Sequence, residues 1–261
     1  SAPPVADTNG GGPDPQDTRA PVADVDTGKT AVDTRGDTGT SRPDTRTSGD
    51  ADASGDGGGG TPGGRGRVAA GLAHSCAIGA DDEVDCWGDD SDGESSLPSG
   101  KLSAVAAGDG FTCGVRPDRT VVCWGREEAN EVSGPSGKLE AIAAGDRHVC
   151  GIRPDKTVEC WGEDDYGEST APGGSFVDVA AGDEFSCGIL EDGTVTCWGR
   201  DEFGESSPLS GSFVQIDAGR DHACGIREDG KVDCWGRDRY GQTSLPKGNL
   251  KQVSAGWGHT C

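Results

Sequence analysis

The chain has 261 residues, 46 of them acidic and 23 basic, for a net charge of −23. A surface this acidic repels phosphate backbones, which excludes a nucleic-acid binder and favours cationic partners. With 31% hydrophobic residues, it has no stretch reaching the roughly 20 apolar residues of a membrane-spanning helix.

Residues 1–67 contain no Leu, Ile, Phe, Trp, Tyr, Cys or Met and carry six Asp-Thr dipeptides. Such a segment cannot bury enough apolar surface to offset its ordering entropy, so it reads as a disordered tail or linker rich in Asp, Thr, Gly and Pro. The glycines at 57–60 and the run Pro62-Gly63-Gly64 read as a flexible hinge. The tail's 11 acidic and 7 basic residues leave it at −4, so residues 68–261 hold the remaining −19. The sequence has no Met, so Ser1 is not expected to be a native start, and a leader is expected to have been removed.

From Val68 onward the chain repeats every 37 residues without insertion or deletion. With Val68, Val105, Ile142, Val179, Ile216 and Val253 as position 1, the units are 68–104, 105–141, 142–178, 179–215 and 216–252, and a partial sixth is 253–261. Each unit is expected to hold four short strands. The first runs into position 1, as at 102–107 (LSAVAA). A glycine follows at position 4 in every copy, from Gly71 to Gly256, where it is expected to supply a backbone geometry other residues resist. The second strand carries one cysteine (FSCGIL, 185–190) and the third another (VTCWG, 195–199). Between them, Glu191-Asp192-Gly193 suits a three-residue hairpin loop with a left-handed third residue. A loop, a short fourth strand and a Pro/Gly-rich connection close the unit. Position 26 is Gly93, Asn130, Gly167, Gly204 or Gly241, the choice a left-handed backbone accepts.

Cysteines recur at position 9 (Cys76, Cys113, Cys150, Cys187, Cys224 and Cys261) and at position 19 (Cys86, Cys123, Cys160, Cys197 and Cys234). Regular pairs at this density point to an oxidising compartment. Counting outward from the hairpin loop puts Ile189 opposite Val195 and Cys187 opposite Cys197, on one face. The expected disulfides are Cys76–Cys86, Cys113–Cys123, Cys150–Cys160, Cys187–Cys197 and Cys224–Cys234. Competing readings join cysteines 27 apart, such as Cys86–Cys113, or leave a row of reduced core thiols. Zinc would need short Cys-x-x-Cys or Cys/His sets. Cys261 is left as half a pair.

The tryptophan after the second cysteine (Trp87, Trp124, Trp161, Trp198, Trp235) points to the other hairpin face and reads as a packing anchor between units. Small residues at position 10 (Ala77, Gly114, Gly151, Gly188, Gly225) are expected to leave room for its ring. All four histidines (His74, His148, His222, His259) share position 7 with Phe111 and Phe185, so the position asks for a flat ring, and the histidines are structural. Acidic pairs such as Asp89-Asp90, Glu127-Glu128 and Asp201-Glu202 recur in the loops, which makes them a solvated rim rather than glycosidase acids. The stretch 89–94 (DDSDGE) does not match an EF-hand loop, and no run fits a phosphate-cradling loop, so no metal or cofactor is expected.

Segments 68–77 (VAAGLAHSCA), 228–236 (EDGKVDCWG) and 240–242 (YGQ) make the unit resemble the regulator-of-chromosome-condensation repeat, over residues 68–261. The resemblance implies an all-β propeller of four-stranded blades, usually seven, so the five complete units are expected to be part of a longer ring; the alternative is a five-bladed ring with an overhang. The paired cysteines are similar to those of secreted or surface-attached bacterial members. The tail is similar to the spacer of a surface lipoprotein, whose acylated cysteine would precede Ser1. Family members bind proteins. The guanine-nucleotide exchange of the founding type uses an inserted hairpin wedge that this chain lacks.

These readings converge on a non-catalytic, monomeric, extracellular or cell-surface scaffold that binds an unidentified protein through one loop face. Candidate binding residues lie where units differ, at positions 5–6 and 22–25: Tyr166, Arg200, Phe203, Arg237, Tyr240 and Trp257. Two other readings stand beside this one. A hydrolase or lyase in the propeller channel would need a unit that breaks the pattern with its own His, Asp or Arg set, and no complete unit does. A passive surface spacer or adhesin would use the tail as a stalk.

Overall fold

The computed structural model describes residues 67–128, 130–244 and 248–261. The tail expected to be disordered lies outside these residues apart from Arg67. Each complete unit forms one antiparallel sheet whose strands follow chain order. The first holds β1 (Val68–Ala70), β2 (His74–Ile78) and β3 (Val84–Gly88). The second holds β4 (Ala104–Ala107), β5 (Phe111–Val115) and β6 (Val121–Gly125), and the third β7 (Ala141–Ala144), β8 (His148–Ile152) and β9 (Val158–Gly162). The fourth has β10 (Phe176–Ala181), β11 (Phe185–Leu190) and β12 (Val195–Gly199), and the fifth β13 (Phe213–Ala218), β14 (His222–Arg227) and β15 (Val232–Gly236).

The hairpin follows from side-chain alternation and from its turn. Ile189 pairs with Val195 and Cys187 with Cys197. Asp192 Oδ1 accepts from the Thr194 amide at 2.9 Å, and Gly193 closes the turn at φ 82°. Arg119 and Lys156 hold the same left-handed place without being glycine, at φ 71° and 70°. Five disulfides, from Cys76–Cys86 to Cys224–Cys234, join position 9 to position 19 within each hairpin. Cys261 is a free, exposed thiol.

The apolar core lies between successive sheets. Phe111, Cys113, Val115 and Leu139 of unit 105–141 cluster with Ile142 and Val149 of the next. Each tryptophan from Trp124 to Trp235 ties that junction by donating Nε1–H to the position-27 carbonyl of the preceding unit. Trp124 reaches Glu94 O, Trp161 Glu131 O and Trp198 Glu168 O at 2.8 Å, and Trp235 reaches Glu205 O at 2.9 Å.

Three expectations about the unit are corrected. The sheets have three strands, because the fourth stretch is folded into turns. In unit 4 it is held by Asp201, which accepts from the Ser206 amide and the Ser207 hydroxyl, and by Glu205, which accepts from the Phe203 amide. These local bonds occupy the groups a further strand would need.

The position-4 glycines are not in a special backbone conformation. A Cβ on Gly108 would stand 2.6 Å from Gly145 O and run into the Phe111 ring, and one on Gly182 would stand 2.7 Å from Gly219 O and run into the Phe185 ring, so the position-7 ring and the next unit's backbone together demand glycine. Position 26, by contrast, is left-handed as expected, with Asn130 at φ 64° and Gly167 at φ 88°.

The third correction concerns position 10. Its small residue makes room for the residue at position 35, not for the tryptophan. A Cβ on Gly188 would meet the Phe176 ring at 2.6 Å. Phe176 then meets Trp198 edge-on, with centroids 6.1 Å apart.

Candidate protein-binding face

The strand directions bring two loops of every unit to the same end of the sheet. The connection at positions 4–6 enters the second strand where the third strand leaves for positions 22–27. Ion pairs join these loops within a unit. Arg126 Nη2 lies 2.7 Å from Asp109 Oδ2, Arg200 Nη1 2.7 Å from Glu184 Oε2, and Arg237 Nη1 2.9 Å from Asp221 Oδ2. In unit 3 the polarity is inverted, with Arg147 on the first loop and Glu163 on the second, 3.6 Å apart.

Each second loop is held by a buried acid or amide at position 27. Glu168 accepts the Tyr166 amide at 2.8 Å, Glu205 the Phe203 amide at 2.6 Å, and Gln242 the Tyr240 amide at 2.8 Å. The aromatic at position 25 is thereby fixed by its own backbone and turned outward. In unit 1 the acids of 89–94 do the same local work: Asp89 accepts the Asp90 amide, Asp90 the Ser95 amide, and Glu94 the Asp92 amide. Among the described residues no three His, Cys, Asp or Glu side chains converge as metal ligands do.

Five of the six candidate residues form one cluster. Phe203 lies under both Arg200 (5.4 Å to the ring centroid) and Arg237 (4.7 Å). Tyr240 stacks on Trp257 with centroids 6.4 Å apart, and Arg220 lies 4.8 Å over Trp257. The two halves meet at Asp221, a buried carboxylate with Arg237 at 2.9 Å, Arg200 at 3.6 Å and Arg220 at 3.9 Å. Phe203 is 38% exposed, Trp257 53% and Tyr240 59%. Tyr166, at 55% exposure, sits on the equivalent loop of unit 3, where no arginine covers it among the described cation–π pairs. Arg220 and Asp221 occupy the variable positions 5 and 6 of unit 5, and the opposite signs at positions 6 and 22 in units 3, 4 and 5 are legible in the sequence.

A row of aspartates at position 5 runs beside the cluster. Backbone bonds link it from unit to unit: Asp109 N donates to Asp146 O at 3.0 Å, and Asp183 N to Arg220 O at 3.1 Å. Burial pushes the Asp146 carboxyl up to about 7, helped by the charge and hydrogen bond of Asp183 and by Asp109, and opposed by Arg147. A folded pKa above the ordinary 3.8 stabilises the fold fully below that value, and the contribution is lost as pH rises through about 7. Asp146→Asn is therefore expected to melt higher than the parent at pH 8 and to lose the parent's gain in stability on acidification. Parallel melting curves for the two chains from pH 4 to 8 would place the titration elsewhere.

The family model described as the regulator of chromosome condensation (RCC1) repeat matches residues 67–94, 103–130, 140–168, 176–205 and 213–242. Among solved structures, the ectodomain of the receptor kinase CR4 from Physcomitrella patens is 31% identical, with TM-score 0.65, over 73% of this chain and 58% of that one. The CRINKLY WD40 ectodomain of the Arabidopsis thaliana receptor kinase ACR4 is 24% identical, with TM-score 0.58, over 75% of this chain and 90% of that one. Prp20p from Saccharomyces cerevisiae shares the fold at 17% identity and TM-score 0.62, over 73% of this chain and 66% of its own. The chain thus spans less than two thirds of the moss ectodomain. None of the curated proteins compared with it matches in sequence.

Proposed function

The chain belongs to the regulator of chromosome condensation repeat family, and on that premise we propose that it is a non-catalytic scaffold, extracellular or at the cell surface, that binds a protein partner. The cluster of Phe203, Arg237, Tyr240, Trp257 and Arg220 carries the reading. Interfaces are enriched in Trp, Tyr, Phe and Arg at their centres and are framed by polar rims. Here the aromatics are exposed yet held in place by loops and guanidinium groups, so little ordering remains to be done on binding. The rim is acidic, from Asp89 and Asp90 through Glu127 and Glu128 to Asp201 and Glu202. A fitting partner offers basic residues around an apolar pocket.

Two further observations support the setting and the lack of catalysis. Hairpin disulfides in every complete unit suit an oxidising compartment, and receptor ectodomains share the fold. His74, His148 and His222 are buried between the sheets beneath the loops, and burial lowers the pKa of each, which favours the neutral ring.

The test is affinity capture from extracellular and envelope fractions, followed by measured affinity for what is captured. The variant Phe203→Ala/Trp257→Ala is expected to bind the partner about 30-fold or more weakly while melting like the parent. Equal affinity in the two chains would remove the cluster from the interface. A chain that captures nothing saturable would favour the passive spacer.

A further inference from the structure

Alternate junctions between units carry a buried hydrogen-bond chain. His74 Nε2 lies 2.7 Å from Thr112 Oγ1, His148 Nε2 2.7 Å from Ser186 Oγ, and His222 Nε2 3.0 Å from Thr260 Oγ1. In each case the hydroxyl stands at position 8 of the following unit. The hydroxyl donates in turn to the position-27 carbonyl of the histidine's own unit: Glu94 O at 3.0 Å, Glu168 O at 3.2 Å and Gln242 O at 2.8 Å. A hydroxyl has one proton to give, and it goes to the carbonyl, so it accepts from the ring. Nε2 therefore carries a proton, and burial, which lowers the pKa of all three histidines, favours the neutral ring.

The sequence follows this chain of bonds at all five junctions. Where position 7 is His74, His148 or His222, the next unit offers Thr112, Ser186 or Thr260. Where position 7 is Phe111 or Phe185, the next unit offers Val149 or Ala223. A histidine facing an apolar residue would bury an N–H with no acceptor, which is costly. A hydroxyl facing phenylalanine would keep its carbonyl and lose only an incoming donor, which is milder.

We propose that positions 7 and 8 form a matched lock that selects which unit packs after which. The lock also describes a partner for the face of the first sheet that carries Ser75 and Trp87 and that no other described unit covers. Ser75 pairs across the hairpin with Trp87, whose ring is 54% exposed where its counterparts are covered. The occupant that fits there is another unit of this 37-residue type, with histidine at position 7 and a position-27 carbonyl free to accept from both Ser75 and Trp87.

Two experiments on the full chain test this. In the first, Ser186→Ala, His148→Phe and the double variant are compared by thermal melting, with the His148 imidazole nitrogen signals read by NMR. Ser186→Ala is expected to melt about 3–8 °C lower. His148→Phe should cost less, and the double variant should recover most of the loss suffered by Ser186→Ala. The imidazole signals should report a proton on Nε2 in the parent. Losses that simply add, or a proton on Nδ1, would overturn the lock. In the second, a copy of unit 142–178 is inserted before Val68, with its histidine kept or changed by His148→Phe within the copy. The histidine-bearing copy is expected to protect the Trp87 indole proton from exchange and to raise the melting temperature more than the phenylalanine copy. Equal protection by both copies would show that the free face does not read position 7.

Discussion

Reducing the disulfides is expected to unfold the described units at physiological temperature without denaturant. Each of the five bonds closes a hairpin with a separation of 10 residues. On the chain-entropy model a loop of that size contributes about 2–3 kcal/mol, so five give about 10–15 kcal/mol. That sum is as large as the whole stability of an ordinary domain. The position-9 cysteine of each bridge is fully buried and its position-19 partner partly exposed, so a reductant can attack through the position-19 sulfur. Circular dichroism followed during incubation with a reductant checks this. A reduced chain that keeps its β signal and melts within about 5 °C of the oxidised one would show that the inter-sheet core suffices alone. Removing one bridge, with Cys150→Ala and Cys160→Ala together, should cost about 2–3 kcal/mol in a denaturant titration.

Gly145→Ala should be among the damaging conservative changes in the described units. The added methyl would overlap the Gly182 carbonyl oxygen of the next unit and stand 2.6 Å from His148 Cε1. Neither neighbour is a flexible side chain end. Relief would require the two sheets to part, breaking the bond from Asp146 N to Gly182 O as they do so. A loss of about 3 kcal/mol or more is expected. Gly167→Ala serves as the contrast: it has open space around its Cβ but φ 88°, so only the backbone penalty of about 1–2 kcal/mol applies. Similar losses for both, measured by denaturant unfolding, would mean that the sheets are less closely joined at position 4 than this geometry states.

These glycines show where sequence reading reached and where it stopped. The pairing of Cys187 with Cys197 was legible because side chains alternate along a strand and the hairpin loop has a fixed length, both local facts. The need for Gly145 was legible as an invariant of the repeat, but its cause was not. Intolerance of a Cβ arises from the ring three residues on and from a carbonyl 37 residues away, which only packing brings near. The fourth strand failed for a related reason: Asp201 and Glu205 find backbone partners within a few residues, and that local satisfaction wins over ladder formation. The candidate loops converged because positions 4–6 and 22–27 leave the same end of the sheet. The central place of Asp221 was not legible because a carboxylate among many looks like rim until three guanidinium groups surround it. The match between positions 7 and 8 was written in the sequence throughout. It appears only when each unit is compared with its successor rather than with a common template.

The tryptophan bonds carry a kinetic consequence. Each reaches back 30 residues, from Trp124 to Glu94 or from Trp198 to Glu168, and the histidine–hydroxyl bonds span 38. Interactions joining neighbouring units therefore close over about one repeat length, and the loop entropy of forming them does not grow as units are added. Chains rich in non-local strand pairing fold slowly because distant segments must meet first. This chain escapes that delay at its internal junctions. Once its own disulfide has formed, each hairpin can dock on its predecessor without waiting for later units, so the described units can be completed in chain order.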